Sequence, residues 1–330
     1  MYSFEDIVGN KQVIKSMKNA LRSGKISHAY ILNGAYGCGK MLLAETFTAY
    51  LECQEGMGKS CGTCTACKTV ESHNNPDVFY VVSKTKTIGV DDIRDQVVKQ
   101  VEIKQYKYRY KVFIIEDADK MTVAAQNVLL KTLEEPPKNV VFLLLTQKVE
   151  ILLPTVLSRC VLFKIKPLMD AEVEEFVVKN LDKSLDEAYF FAKYSAGSIG
   201  KAQKLIEDED FVGMRIYVID KLYNIGGTDI AEVIEWAKDI EKYKDNIGDF
   251  LDIAYLWFRD ILVAKKLGDT DCITQKDNKN KIFLQAKNMN FLQINKSLEA
   301  IWQAKRQLEQ NSNFRLTMEI MLINIKGVKE

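Results

Sequence analysis

Apolar and polar positions fall along this chain in two regimes. In the first half, short apolar runs at 28–32, 78–82, 112–115, 140–145 and 161–165 alternate with longer segments of helical period. The runs are rich in β-branched and aromatic residues and almost unbroken by polar ones, the pattern of strands covered on both faces. Helical patterning marks 11–22, ended by Gly24, then 41–51 and 122–133. Strands alternating with helices predict a parallel α/β sheet. Beyond Pro167 the strand signal stops. Residues 170–180, 185–194 and 199–206 read as three short helices, and from Phe211 onward every periodic segment is helical, including 229–243, 247–266 and 292–308. The polar stretch 268–281 reads as a loop. The expected organisation is an α/β core over 1–167, a small helical lid over 168–208 and an all-α domain over 209–330, with no internal repeat.

Composition narrows the class. The chain has 330 residues, enough for two or three domains, and 47% hydrophobic with 28% charged residues is a globular rather than a disordered balance. A net charge of +1 gives no global field toward nucleic acid. The N-terminal residues carry neither a basic nor an apolar leader, and no apolar run approaches the length of a membrane span, so a cytoplasmic protein is expected. Thiols stay reduced there, and clustered cysteines point to metal rather than disulfides.

Three motifs carry chemistry. Gly34-Ala35-Tyr36-Gly37-Cys38-Gly39-Lys40-Met41 follows the phosphate-loop spacing G-x-x-x-x-G-K, placed between a strand and a helix. Such loops aim backbone N–H groups at phosphates and a lysine at the terminal oxygens. The hydroxyl residue that normally follows is Met41 here, and a thioether is a poor ligand for Mg²⁺. Nucleotide (ATP or ADP) is expected to bind weakly at most.

The second motif is the strand 112–115, which ends in Glu116-Asp117. Phosphate-loop enzymes hold Mg²⁺ with an Asp at such a strand end, commonly followed by a Glu that activates water. The inverted order leaves one carboxylate a methylene too long and the other a methylene too short, and misplacement by about 1 Å can cost about 10²-fold in rate. Solvated acids at a strand end remain the alternative. Third, Cys53, Cys61, Cys64 and Cys67 form a C-x7-C-x2-C-x2-C array suited to a closed, structural Zn²⁺ site. Free thiols are the alternative, and His73 is a less expected additional ligand. Cys38, Cys160 and Cys272 stand apart. Lys59 and Lys68 near the cluster would fit a zinc-dependent DNA-binding module, but solvated lysines explain them equally well.

With these motifs in order, the sequence resembles the clamp-loader subunits of bacterial DNA polymerase III, an AAA+ family. The resemblance rests on Phe4-Glu5-Asp6-Ile7-Val8-Gly9-Asn10, His28-Ala29-Tyr30-Ile31-Leu32, the phosphate loop, the four cysteines and Asn75-Pro76-Asp77. It continues through 111–121, the segment from Gln126 to Pro137 and Ser158-Arg159-Cys160. It covers roughly the first half of the chain.

The resemblance implies that Arg159 is an arginine finger offered to ATP in a neighbouring subunit, a device worth about 10³–10⁵ in rate. A surface arginine paired with a carboxylate is the alternative reading. The resemblance also makes Thr146 a polar sensor at its strand end and the C-terminal helices an oligomerisation collar. Active members carry a lid arginine after Gly-Ser-x; here Gly197-Ser198-Ile199 is followed by Gly200. Met41, the Glu116-Asp117 inversion and Gly200 all favour the non-hydrolysing delta-prime type over the gamma/tau motor type, with gamma/tau and delta subunits, the sliding clamp and primed DNA as implied partners. Trp257-Phe258 and Tyr189-Phe190-Phe191 are expected to be core or subunit packing.

Overall fold

The computed structural model describes residues 2–56, 58–83, 85–268 and 271–327. Five strands, β1 (Ala29–Asn33), β2 (Val78–Val81), β3 (Lys111–Ile115), β4 (Val140–Thr146) and β5 (Val161–Lys164), form one parallel sheet in the order β2-β3-β4-β1-β5. The helices around it are α1 (Lys11–Ser23), α2 (Lys40–Glu52), α3 (Thr65–Glu71), α4 (Val90–Ile93), α5 (Lys99–Val101), α6 (Val123–Glu134) and α7 (Pro154–Leu157).

The unbroken apolar runs have the expected cause. Successive side chains of β1, β3 and β4 enter opposite cores. Leu32, Val112, Ile114, Leu143 and Leu145 pack with Met17, Leu21 and Phe47 of α1 and α2. Ile31, Phe113, Ile115, Phe142 and Leu144 pack with Leu129, Leu133 and Val156 of α6 and α7. The run at 161–165 differs from expectation. Among the described residues β5 pairs only with β1, and Val161 and Leu162 are 41% and 39% exposed at the sheet edge.

Asn75-Pro76-Asp77 is a brace at the start of β2. Asp77 is 1% exposed, and its carboxylate accepts the backbone N–H groups of Tyr106 (2.6 Å), Lys107 (2.8 Å) and Tyr108 (2.8 Å). Asn75 Oδ1 in turn accepts the N–H of Asp77 at 2.9 Å. Bonds to an ionised acceptor are the strong kind, so this carboxylate fixes the loop that leads into β3.

The chain divides into two compact units, Met1–Glu172 with Ala196–Lys201, and Val173–Ser195 with Ala202–Glu330. The second is helical. Its elements come from α8 (Asp170–Leu181), α9 (Leu185–Ser195), α10 (Ile199–Glu207), α11 (Glu209–Asn224), α12 (Ile230–Asp239), α13 (Ile247–Leu267), α14 (Lys279–Asn288), α15 (Phe291–Glu309) and α16 (Phe314–Lys326). Trp257, Phe258 and Phe190 are fully buried.

The expected helix over 229–243 ends at Asp239 and continues as a 3-10 helix, Ile240–Asn246. The expected loop over 268–281 is shorter. Asp269 and Thr270 lie outside the described residues, a 3-10 turn occupies Lys276–Asn278, and α14 begins at Lys279. Within that stretch Ile273 and Gln275 are buried because the Asp260 carboxylate accepts the N–H groups of Thr274 (3.0 Å) and Gln275 (2.8 Å). Polar composition therefore concealed an anchored segment. Among the described residues no helix is long and apolar enough to cross a membrane.

Candidate nucleotide and metal sites

β1 delivers Gly34 to the carboxyl edge of the sheet, where its N–H donates to the Thr146 carbonyl of β4 at 3.1 Å. The loop then turns through Gly37 and Gly39, both left-handed (φ +70° and +87°), a conformation that side chains resist, and α2 starts at Lys40. A cavity of about 410 Å³ opens beside it, lined by Gly37, Gly39, Lys40, Met41, Glu116 and Asp117 together with Tyr36, Lys120, Gln147 and Gly200. Six of the eight nucleotide-site residues read from the sequence thus meet on one cavity. Gly34 and Thr146 do not line it; they hold its floor through their backbone bond.

Lys40, Asp117 and Thr146 are each engaged within the fold. Lys40 Nζ donates to the Gly34 and Ala35 carbonyls at 2.8 Å each. Asp117 lies in the left-handed region (φ +49°), and its Oδ2 is 2.7 Å from Lys120 Nζ, a contact that raises the lysine pKa. Thr146 Oγ1 donates to Asp119 Oδ1 at 3.0 Å, and the Gln147 N–H donates to the same oxygen at 3.1 Å. Asp119 and Lys120 had no assigned role in the sequence. The i,i+3 pairing in Asp117-Ala118-Asp119-Lys120 was the available signal for Lys120, while the partner of Asp119 lies on another strand.

The segment Ala196–Lys201 is fastened to the phosphate loop. Ser198 Oγ donates to the Tyr36 carbonyl (3.1 Å), and the Gly200 N–H donates to the Gly37 carbonyl (3.1 Å). A Cβ at Gly200 would stand 2.9 Å from that same oxygen. Gly200 thus has no room for a side chain unless the loop moves.

The four cysteines converge although Met57 between them lies outside the described residues. Cys53 caps the C-terminus of α2, Cys64 caps the N-terminus of α3, and Cys67 lies inside α3. All four Sγ atoms lie within 4.8 Å of one another, where a tetrahedral ion with bonds of about 2.3 Å needs separations of about 3.8 Å. Backbone N–H groups of Cys61, Cys64 and Cys67 point at the Sγ atoms of Cys53 (3.5 Å), Cys61 (3.3 Å) and Cys64 (3.5 Å). The Thr63 hydroxyl and the backbone amides of Cys64 and Thr63 lower the Cys61 thiol to about 6, whereas burial pushes Cys67 up to about 12. Four sulfur donors converging at this spacing fit a metal ion such as Zn²⁺. His73 is directed elsewhere: its Nε2 lies 3.5 Å from Glu45 Oε1, and its ring packs on Tyr80.

Arg159 follows α7 and does not line the cavity. Gln126 of α6 fixes the turn before α7, since its Oε1 accepts the Leu153 N–H at 2.7 Å and its Nε2 donates to the Ile151 carbonyl at 3.4 Å. The guanidinium rests 2.7 Å from Glu134 Oε1 and donates to the Thr155 carbonyl at 2.9 Å.

Sequence models of two families match the chain: "DNA polymerase III, delta subunit" over residues 9–169 and "DNA polymerase III, delta subunit, C terminal" over 213–327. The chain is 28% identical over 323 residues to DNA polymerase III subunit delta' of Bacillus subtilis, covering 96% of this chain and 95% of that one. It is 24% identical to subunit tau of the same organism, covering 98% of this chain and 61% of that one, and 36% identical over 167 residues to Escherichia coli tau, covering 50% of this chain and 26% of tau. Among solved structures, a DNA polymerase III gamma-subunit-related protein of Thermotoga maritima aligns with TM-score 0.43 and 19% identity, covering 94% of this chain and 98% of that one.

Proposed function

The chain belongs to the DNA polymerase III clamp-loader subunits, of the delta-prime type, and from that premise we propose that it serves its neighbour's ATP rather than its own. In this reading Arg159 reaches the γ-phosphate of ATP bound to an adjacent gamma/tau subunit and stabilises the charge that builds during cleavage. The assembled loader, completed by a delta subunit, then opens the sliding clamp and places it on primed DNA in the cytoplasm. The chain's own phosphate loop is retained as scaffold, with weak nucleotide binding at most.

The single observation that carries this reading is the cavity itself. Met41 stands at the magnesium-ligand position, Asp117 is tied to Lys120, and Gly200 lies against the loop. Three separate requirements for hydrolysis are weakened in one place, while Arg159 lies outside it. The four cysteines are proposed to hold Zn²⁺ as a structural ion, locking the end of α2 to α3.

A loader reconstituted with the Arg159→Ala chain should lose most of its DNA-stimulated ATPase and clamp loading; an unchanged rate would refute the trans role. Lys40 lines the cavity and sustains the alternative of a gamma/tau-like motor. That alternative requires ATP hydrolysis by the chain alone, abolished in Lys40→Ala, and a null result removes it.

A further inference from the structure

Arg159 is not simply displayed on the surface. Its Nη1 donates to the Thr155 carbonyl at 2.9 Å and to Ser158 Oγ at 3.3 Å, so the side chain curls back over its own turn. Nη2 lies 2.7 Å from Glu134 Oε1, at the last residue of α6. The Arg159 side chain is only 34% exposed, whereas that of Glu134 is 49% exposed. A guanidinium with a carboxylate at 2.7 Å presents a dipole rather than a full positive charge, and a phosphate approaching it meets the carboxylate as well. Both Nη1 hydrogens are occupied, so a new acceptor must compete with existing ones.

We propose that Glu134 is a positioning residue that holds Arg159 retracted, releasing it when a neighbour's phosphate displaces the carboxylate. This deepens the trans-finger reading and rests on it. The magnitude suits a latch. A partly exposed ion pair is worth about 0.2–1 kcal/mol, enough to bias a side chain about 1.4- to fivefold and too little to block a doubly charged phosphate. The same weakness means that Glu134 contributes little to folding, so its removal leaves a folded chain to test.

The test uses the reconstituted loader carrying Glu134→Ala, Glu134→Asp, Arg159→Ala or the double variant, assayed for ATP hydrolysis against ATP concentration with and without primed DNA. With Glu134→Ala, DNA-independent hydrolysis should rise about 1.4- to fivefold and half-saturation should move to lower ATP, with the DNA-stimulated maximum nearly unchanged. Glu134→Asp should fall between that variant and wild type, and the double variant should match Arg159→Ala alone. An unchanged or lower DNA-independent rate in Glu134→Ala, while Arg159→Ala still impairs the loader, overturns the latch and leaves the finger. If Arg159→Ala itself is silent, both are overturned.

Discussion

Replacing Asp77 by alanine tests how much of the first unit depends on one carboxylate. Asp77 is 1% exposed and accepts three backbone N–H groups at 2.6–2.8 Å, those of Tyr106, Lys107 and Tyr108. A hydrogen bond to a charged group contributes about 1.5–3 kcal/mol, but these three share one acceptor and one desolvation cost, so they do not add. The Tyr106 and Lys107 amides are only partly buried and can turn to water, whereas the Tyr108 amide is buried and loses its partner outright. The net loss for Asp77→Ala should be about 3–4 kcal/mol. At about 2–4 °C per kcal/mol for a unit of this size, the transition should fall by about 6–16 °C. Asp77→Asn keeps one carbonyl acceptor and should lose about half as much.

Thermal and urea unfolding followed by circular dichroism would measure the loss. Fluorescence of Trp236, Trp257 and Trp302 adds a second probe, because every tryptophan lies in the second unit. A loss below about 1 kcal/mol for Asp77→Ala, or Asp77→Asn as damaging as Asp77→Ala, would refute the brace.

Three further outcomes are expected. Gly200→Ala places a Cβ 2.9 Å from the Gly37 carbonyl; the Ala196–Lys201 segment should detach from the loop at a cost of about 1–3 kcal/mol, read as faster amide exchange there, and unchanged protection would contradict this. Chelation, or Cys64→Ser, should release about one metal ion per chain and lower the unfolding temperature of the first unit; full stability in a metal-free chain would dismiss a structural ion. Asp260 is buried, and burial raises its carboxyl pKa above the ordinary 3.8. The folded state therefore holds that proton more tightly, so its contribution to stability is greatest at low pH and declines as pH rises from about 3.8 through the raised folded value. The stability gap between wild type and Asp260→Asn should shrink in that window, and parallel pH profiles would refute the assignment.

Motifs whose geometry is local were legible in the sequence. The phosphate loop needs glycines where the backbone turns left-handed, and Gly37 and Gly39 have those angles. The cysteine spacing predicted four converging thiols, since a C-x2-C step can close only a small number of geometries. Strand existence followed from apolar runs because a doubly covered parallel strand has no polar face to present. The edge exposure of β5 did not follow, since hydrophobicity reports composition and not which neighbour arrives. The stretch around Ile273 is a loop as expected, but its burial did not follow, because its anchor, Asp260, sits on α13.

The sequence by itself determined the α/β core, the helical remainder, the clustered cysteines and the phosphate-loop pattern with Met41 after its lysine, because each is written in short runs of adjacent residues. Only the tertiary structure decided what holds those pieces. Asp77 clamps a loop some thirty residues away, Asp119 engages Thr146 from another element, Gly200 presses on Gly37, and Glu134 holds Arg159. These partners are distant in sequence and met only when the sheet assembled. A charge or an amide carries no sign in the sequence of which distant group will satisfy it.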